Sequence, residues 1–135
     1  MNLLEIVIIT SVSLVTTIQV NAQKMKATDI VQGQLDAYNN QDIEAFLNCY
    51  TEDVEVYNFP NELVYKGKDK MRERYSNAWR QNPKQKAGVT DRISVGSTVI
   101  DKEHVTGRAT GIEVDVIAIY KIENGKIKQV YFIRE

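Results

Sequence analysis

Two pairs of side chains in this sequence have the types and spacing to do chemistry. Asp101 and Glu103 stand two apart in TVIDKEHVT, so on an extended strand they share a face with Val99 and Val105. Two carboxyl groups beside each other against an apolar hollow would raise the pKa of at least one. That would give a general acid or base poised near neutrality. The competing reading is a solvated strand face next to Lys102, where charged side chains ordinarily sit. His104 points to the opposite face, which disfavours a His–carboxylate dyad within this strand. The second pair, Asn58 and Gln34, are carboxamides without useful basicity near neutral pH, but they can orient a bound molecule by hydrogen bonding. Asn58 follows Val54 and Val56 in alternation and would face inward with them. Otherwise it forms an Asx turn ahead of Phe59-Pro60. Gln34 borders an apolar helix face, either as a pocket donor or at the rim of a helix–sheet contact.

Aromatic residues could supply a wall around these groups. Tyr38, Tyr57, Tyr75, Trp79 and Tyr120 could line a cavity suited to a planar apolar ligand, or could simply pack a core. The rest of the composition narrows the choice of partner. With 135 residues and a net charge of −1, the chain makes one domain with no clustered basic face, which argues against nucleic acid. Cys49 and His104 are the only residues of their types, so no internal disulfide can form. A zinc centre would have to rely on carboxylates, so neither a metal nor another cofactor is expected.

The elements that must position these residues follow from periodicity. MNLLEIVIITSVSLVTTIQVNAQK reads as a leader, residues 1–22, with Val20-Asn21-Ala22 as the cleavage signal before Gln23. Its n-region lacks Lys and Arg and carries Glu5. Export to the periplasm or exterior, an uncleaved membrane anchor, and a cytoplasmic protein starting at Met25 therefore stay open in that order. The domain itself spans residues 24–135. Thr28-Asp29 is placed to cap a first helix carrying Val31, Leu35 and Tyr38. Asp42 is placed to cap a second, in which Ile43, Phe46, Leu47 and Tyr50 keep helical spacing up to Thr51-Glu52-Asp53. Strands are predicted over Val54–Asn58 and Leu63–Lys66, then a third helix over Lys68–Gln81. Four strands follow, over Ala87–Val95, Thr98–Gly107, Ile112–Ile122 and Lys126–Arg134, with Asn124-Gly125 as a hairpin turn. This order gives an α+β fold with helices on one face of a mainly antiparallel sheet. Ile117 and Ile119 make the second face of their strand apolar in its middle. The last strand is apolar on both faces, with Tyr131 and Ile133 on one and Val130 and Phe132 on the other. Water would leave a cleaner alternation, which predicts that the outer sheet face is covered by a second copy of the chain.

The stretch VQGQLDAYNNQDIEAFLNCYTEDVEVYNFP, followed by GKDKMRERYSNAW, resembles the nuclear-transport-factor-2-like superfamily, and within it the SnoaL-like and ketosteroid (steroid delta-) isomerase-like proteins. The resemblance implies a curved sheet rolled into a cone, closed by three helices around a cavity, and a homodimer through the outer sheet face. It aligns Asn58 with the isomerases' proton-moving aspartate. Their oxyanion donors, a tyrosine and a protonated aspartate, align with Gln34 and Ala118. Tyr50 and Tyr75 align with the tyrosines that support the donor, so a polar network around Gln34 is implied. Arg74 aligns with an apolar cavity position, where it would either meet a ligand carboxylate or turn outward.

The pocket is thus expected to be kept while the isomerase groups are gone. The leading expectation is an exported domain that binds a small apolar or amphipathic molecule between Gln34, Tyr38, Tyr50, Tyr75, Trp79, Ala118 and Tyr120. Any chemistry would be a cofactor-free isomerisation, cyclisation or dehydration with Asp101 or Glu103 as base and Asn58 orienting the substrate. The alternative is a non-catalytic dimerisation or docking module. The first predicts a closed apolar cavity with Asn58 and Gln34 on its wall, and the second predicts that hollow filled by Trp79, Tyr75 and Tyr120.

Overall fold

The computed structural model describes residues 25–135, so the expected leader and cleavage signal lie outside the described residues. Three helices, α1 (Ala27–Asn39), α2 (Ile43–Asn48) and α3 (Lys68–Gln81), accompany six strands. The strands are β1 (Tyr50–Asn58), β2 (Glu62–Lys66), β3 (Lys86–Val95), β4 (Thr98–Thr106), β5 (Val114–Glu123) and β6 (Lys126–Arg134). They form one curved, unclosed sheet in the order β2-β1-β6-β5-β4-β3, antiparallel except where β1 runs parallel to β6.

Two helix ends differ from the sequence expectation. Lys26, not Thr28-Asp29, occupies the N-cap of α1 and makes no side-chain cap, while Asp29 lies in the first turn. A carboxylate there still faces the positive end of the helix dipole. Asp42 caps α2 as expected, accepting a 3.1 Å hydrogen bond from Ala45 N. However, α2 stops at Asn48 and β1 begins at Tyr50. The helical spacing of Tyr50 with Phe46 and Leu47 arises because all three enter the same core, where a strand side chain substitutes for the next helical turn.

The helices lie on the sheet's inner face. Val31 and Phe46 from α1 and α2, and Met71 from α3, are buried with Val54, Val99, Ile127 and Val130 of the strands. Tyr38, Phe46, Tyr75 and Trp79 form one aromatic cluster, with centroid separations from 4.5 Å for Phe46–Tyr75 to 6.3 Å for Tyr38–Phe46. Burying each such ring contributes about 2–3 kcal/mol before conformational entropy is set against it. Asn39 fixes the end of α1 over β3, donating to Ala87 O and accepting from Ala87 N at 2.8 Å each. The far end of β4 is held equally closely. Gly107 has φ +72°, and a Cβ there would lie 2.0 Å from Lys84 O, so only glycine fits.

Candidate functional site

Strand register sets out the inner face as rows of side chains. Asp101, Ala118, Phe132 and Asn58 follow one another across β4, β5, β6 and β1. The neighbouring rows read Glu103, Val116, Arg134, and Val99, Tyr120, Val130, Val56, Tyr65. Between these rows and the helices lies a cavity of about 1000 Å³. Gln34, Tyr38, Tyr50, Tyr65, Tyr75, Glu103, Tyr120 and Phe132 are on its wall, with exposed Arg74, Asn77, Gln81 and Arg134 at its rim.

Both carboxylates of β4 face inward and are buried, so the solvated-face reading does not hold. Their surroundings differ. Asp101 is fully buried and is clasped by Arg92, whose Nε donates to Oδ1 at 2.7 Å and whose Nη2 donates to Oδ2 at 2.8 Å. Arg92 Nη1 also donates to Gln32 Oε1 of α1 at 2.9 Å. Asp101 is absent from the cavity wall, and its geometry is that of an ion pair locking α1, β3 and β4 together. Glu103 reaches the cavity and has no such cation. Among the described residues its one side-chain hydrogen bond comes from Tyr120 Oη, at 2.7 Å. Burial pushes its carboxyl up to about 7; the Tyr120 bond opposes this and the charge of Asp101 adds to it.

Tyr120 is itself held in a directed chain. Tyr50 Oη donates to Gln34 Oε1 at 3.0 Å, and Gln34 Nε2 donates to Tyr120 Oη at 3.1 Å. The tyrosine hydroxyl, having accepted from Gln34, spends its only proton on Glu103. Burial raises both tyrosines well above their ordinary range, so the protons stay on the hydroxyls and the direction of the chain is fixed. The network implied around Gln34 by Tyr50 is therefore present. Tyr75 lines the cavity without joining it.

Four expected wall residues lie elsewhere. Trp79 is buried in the aromatic cluster and Ala118 is buried between Asp101 and Phe132, and neither reaches the cavity. Both belong to the buried hydrophobic core, so their positions are those of core packing. Asn58 lines a smaller pocket of about 400 Å³, bounded also by Phe59, Phe132, Ile133 and Arg134. Its Oδ1 accepts from Arg134 Nη1 at 3.1 Å, and its Nδ2 donates to Glu62 Oε2 at 3.4 Å. The strand alternation does aim Asn58 inward, but Asn58 is not on the main cavity's wall, whereas Phe132, next to it in the row, and Arg134 line both spaces. Tyr57 faces outward and stacks on Tyr131 with ring centroids 4.8 Å apart, so it takes no part in the cavity.

Sequence reasoning missed Tyr65, Phe132 and Arg134. Tyr65 and Phe132 sit on short or two-sided apolar strands where periodicity does not say which face is inner. Tyr65 Oη is buried and, among the described residues, makes no hydrogen bond of good geometry. Burial raises its pKa to about 12.

Comparison with known proteins places this geometry among relatives. The family described as the SnoaL-like domain matches residues 31–130. An uncharacterised cystatin-fold protein from Novosphingobium aromaticivorans is 30% identical, with 82% of this chain and 99% of that one covered and a TM-score of 0.75. A candidate SnoaL-like polyketide cyclase from Jannaschia sp. shares the fold at 14% identity, covering 81% of this chain and 85% of its own, with a TM-score of 0.69. A candidate ketosteroid isomerase from Kribbella flavida does so at 16% identity, 81% and 77% coverage and a TM-score of 0.67. No protein of curated function matches this chain.

Proposed function

The chain belongs to the SnoaL-like domain family, and on that premise we propose that it binds a small apolar or amphipathic molecule in its cavity and moves a proton on it without a cofactor. The observation that carries this reading is Glu103: a carboxyl poised at about 7, on the wall of a cavity of about 1000 Å³, oriented by a tyrosine. At neutral pH it is divided between acid and carboxylate. The carboxylate takes a proton from an activated carbon, the C–H electron pair enters the substrate's conjugated system, and the resulting acid returns the proton at another atom. Isomerisation, cyclisation and dehydration share that step. Asp101, held by Arg92, is left out of it.

Proton exchange at the carbon between ring and carbonyl of β-tetralone, followed by NMR in deuterated buffer near pH 8, tests the reading. The wild type should exchange about a hundredfold or more faster than Glu103→Gln, the typical contribution of a positioned base. Equal rates in the two proteins would remove Glu103 from the chemistry. Native mass spectrometry of the purified protein tests binding separately. Isomerisation of a Δ5-3-ketosteroid should stay at background, since Asn58 stands in the aspartate's place. Robust turnover there would overturn this account of Asn58.

We also propose that two copies pair through the outer sheet face. Half-buried Ile117, Ile119 and Tyr131 and exposed Ile133 support this, because they form an apolar band that water solvates poorly. Ile119→Glu should convert a dimer into a monomer in analytical ultracentrifugation, and a monomeric wild type would end the proposal. Export, with cleavage before Gln23, is proposed from the leader sequence alone. N-terminal sequencing of the mature protein checks it.

A further inference from the structure

We propose that the molecule bound in the cavity carries a carboxylate, and that Arg74 and Arg134 hold this group at the rim beside Tyr65. The inference rests on the cavity being a ligand site, as proposed above, and names the class of ligand it takes.

Three observations converge on that corner. Arg74 lies over the ring of Tyr65, 4.8 Å from its centroid, and Arg134 lies over the ring of Phe132 at 4.3 Å. Both rings are on the cavity wall, and both arginines line the same cavity. A guanidinium resting on an aromatic face keeps its N–H edges free, and those edges match a carboxylate bidentately. Second, among the described residues neither arginine has a carboxylate within 4.0 Å, whereas Arg72 and Arg92 are each paired with one, to Glu44 and Asp101. Arg134 gives one hydrogen bond to Asn58, which fixes its position and leaves donors over. Third, the buried Tyr65 hydroxyl has no well-formed hydrogen bond among the described residues. The Tyr75 side chain is close enough to oppose the burial-driven rise of its pKa without completing a bond of good geometry. A buried polar group left unpaired costs about 1–3 kcal/mol, which a ligand oxygen would relieve.

The register sets the distance between this corner and Glu103. Arg134 and Glu103 flank Val116 in one row, so their backbones are two strand spacings apart, roughly 10 Å. A molecule anchored by its carboxylate at the arginines would lay an apolar body across Val116 and Phe132 and bring a neutral carbon to Glu103. Arg108 also lines the cavity, but its influence falls on Tyr38, at the other side, and it serves as the control.

Displacement of a neutral fluorophore, N-phenylnaphthylamine, by naphthoate and by its uncharged analogue naphthamide tests the inference. Naphthoate should displace the dye at a concentration about tenfold lower than naphthamide does. Arg74→Met and Arg134→Met should each remove most of that preference, Arg74→Lys should restore part of it, and Arg108→Met should leave it intact. All three positions are on or near the surface, and an unchanged thermal melt confirms folding. Dye that binds but is displaced equally by both naphthalenes would overturn the carboxylate assignment while leaving the cavity a ligand site. Loss of preference in Arg108→Met alone would move the anion to the wrong side of the cavity and equally refute it. If neither dye nor either naphthalene binds, the ligand-site reading falls first and this inference falls with it.

Discussion

Asp101 and Glu103 occupy the same face of the same strand, and both are buried, yet they belong to different parts of the molecule. Asp101 meets a bidentate arginine and loses access to the cavity. Glu103 meets only a phenol, keeps an edge toward the cavity, and is held near its protonated form. One step of the pleat separates an anchor from a reactive group. What differs is the side chain across the ladder. Asp101 faces Arg92 on β3, whereas Glu103 faces Val89, which offers no charge. The partner, and not burial alone, decides whether a buried acid is ionic and inert or neutral and available.

The largest expected effect comes from breaking the anchor. Arg92→Met leaves the Asp101 carboxylate buried without its cation and frees Gln32 from the guanidinium, which should cost about 3 kcal/mol or more of stability. Urea denaturation at pH 7 measures this, and a loss under about 1 kcal/mol would show that the pair is better solvated than its geometry implies. Glu103→Gln should do the reverse. Its folded pKa, about 7, lies above the ordinary 4.5. Its contribution is therefore complete below about pH 4.5 and is lost as pH rises to about 7, beyond which folding must bury an ionised carboxylate. The amide keeps the oxygen that accepts from Tyr120 and removes this ionisation. Above pH 8 the variant should be more stable than wild type by about 3 kcal/mol, and near pH 4 the two should converge. An unchanged gap across that range would mean that Glu103 titrates normally.

A smaller effect should follow from cutting the chain that aims Tyr120. Gln34→Leu leaves the Tyr50 proton without an acceptor and Tyr120 without a donor, both in buried surroundings. A destabilisation of about 2 kcal/mol is expected. Tyr120 can then turn its proton elsewhere, so exchange at tetralone should fall even at saturating ketone. Gln34→Glu should rescue stability only in acid, where the side chain is neutral and can both accept and donate. Activity unchanged in Gln34→Leu would separate Tyr120's orientation from Glu103's function.

Most of the fold was legible because its signals are local. The spacing around Phe46, the Asp42 cap, the Lys68–Gln81 helix and the Asn124-Gly125 turn each depend on a few neighbouring residues. Tyr50 was misplaced because a helical period and a core-facing strand start look alike over one residue. In the site, alternation correctly put Asp101 and Glu103 on one face, but it left open whether that face was inner or solvated, and the structure shows it buried. Alternation did not find Arg92, nine residues away, which takes one of them in the register set by the turn between Val95 and Thr98. The register shift between Val89 and Asp91 lies beyond that pair and brings Val89, not Thr90, opposite Glu103. The same limit hid Phe132, whose strand is apolar on both faces, and alternation put Asn58 on the main cavity wall instead of in the smaller pocket it lines with Phe132.

The third titrating side chain of β4 completes the comparison from the solvent side. His104 points outward, as the alternation requires, and lies between Asp115 Oδ1 and Glu113 Oε2, each 2.8 Å from a ring nitrogen. These hydrogen bonds raise its pKa above the ordinary 6.5, Asp115 first, because the doubly protonated ring can donate to both. A raised histidine contributes stability that is complete below its ordinary pKa and is lost as pH rises through the folded value. Here the groups are in water, so that contribution should be small and salt-sensitive. The proton resonances of the ring should titrate with a midpoint above 6.5 that falls in Asp115→Asn and falls again in high salt. Glu103, screened from solvent, should keep its midpoint in the same salt. If both midpoints moved together, the inner and outer faces of this strand would share one dielectric environment, and the contrast between its buried and exposed titrating groups would be lost.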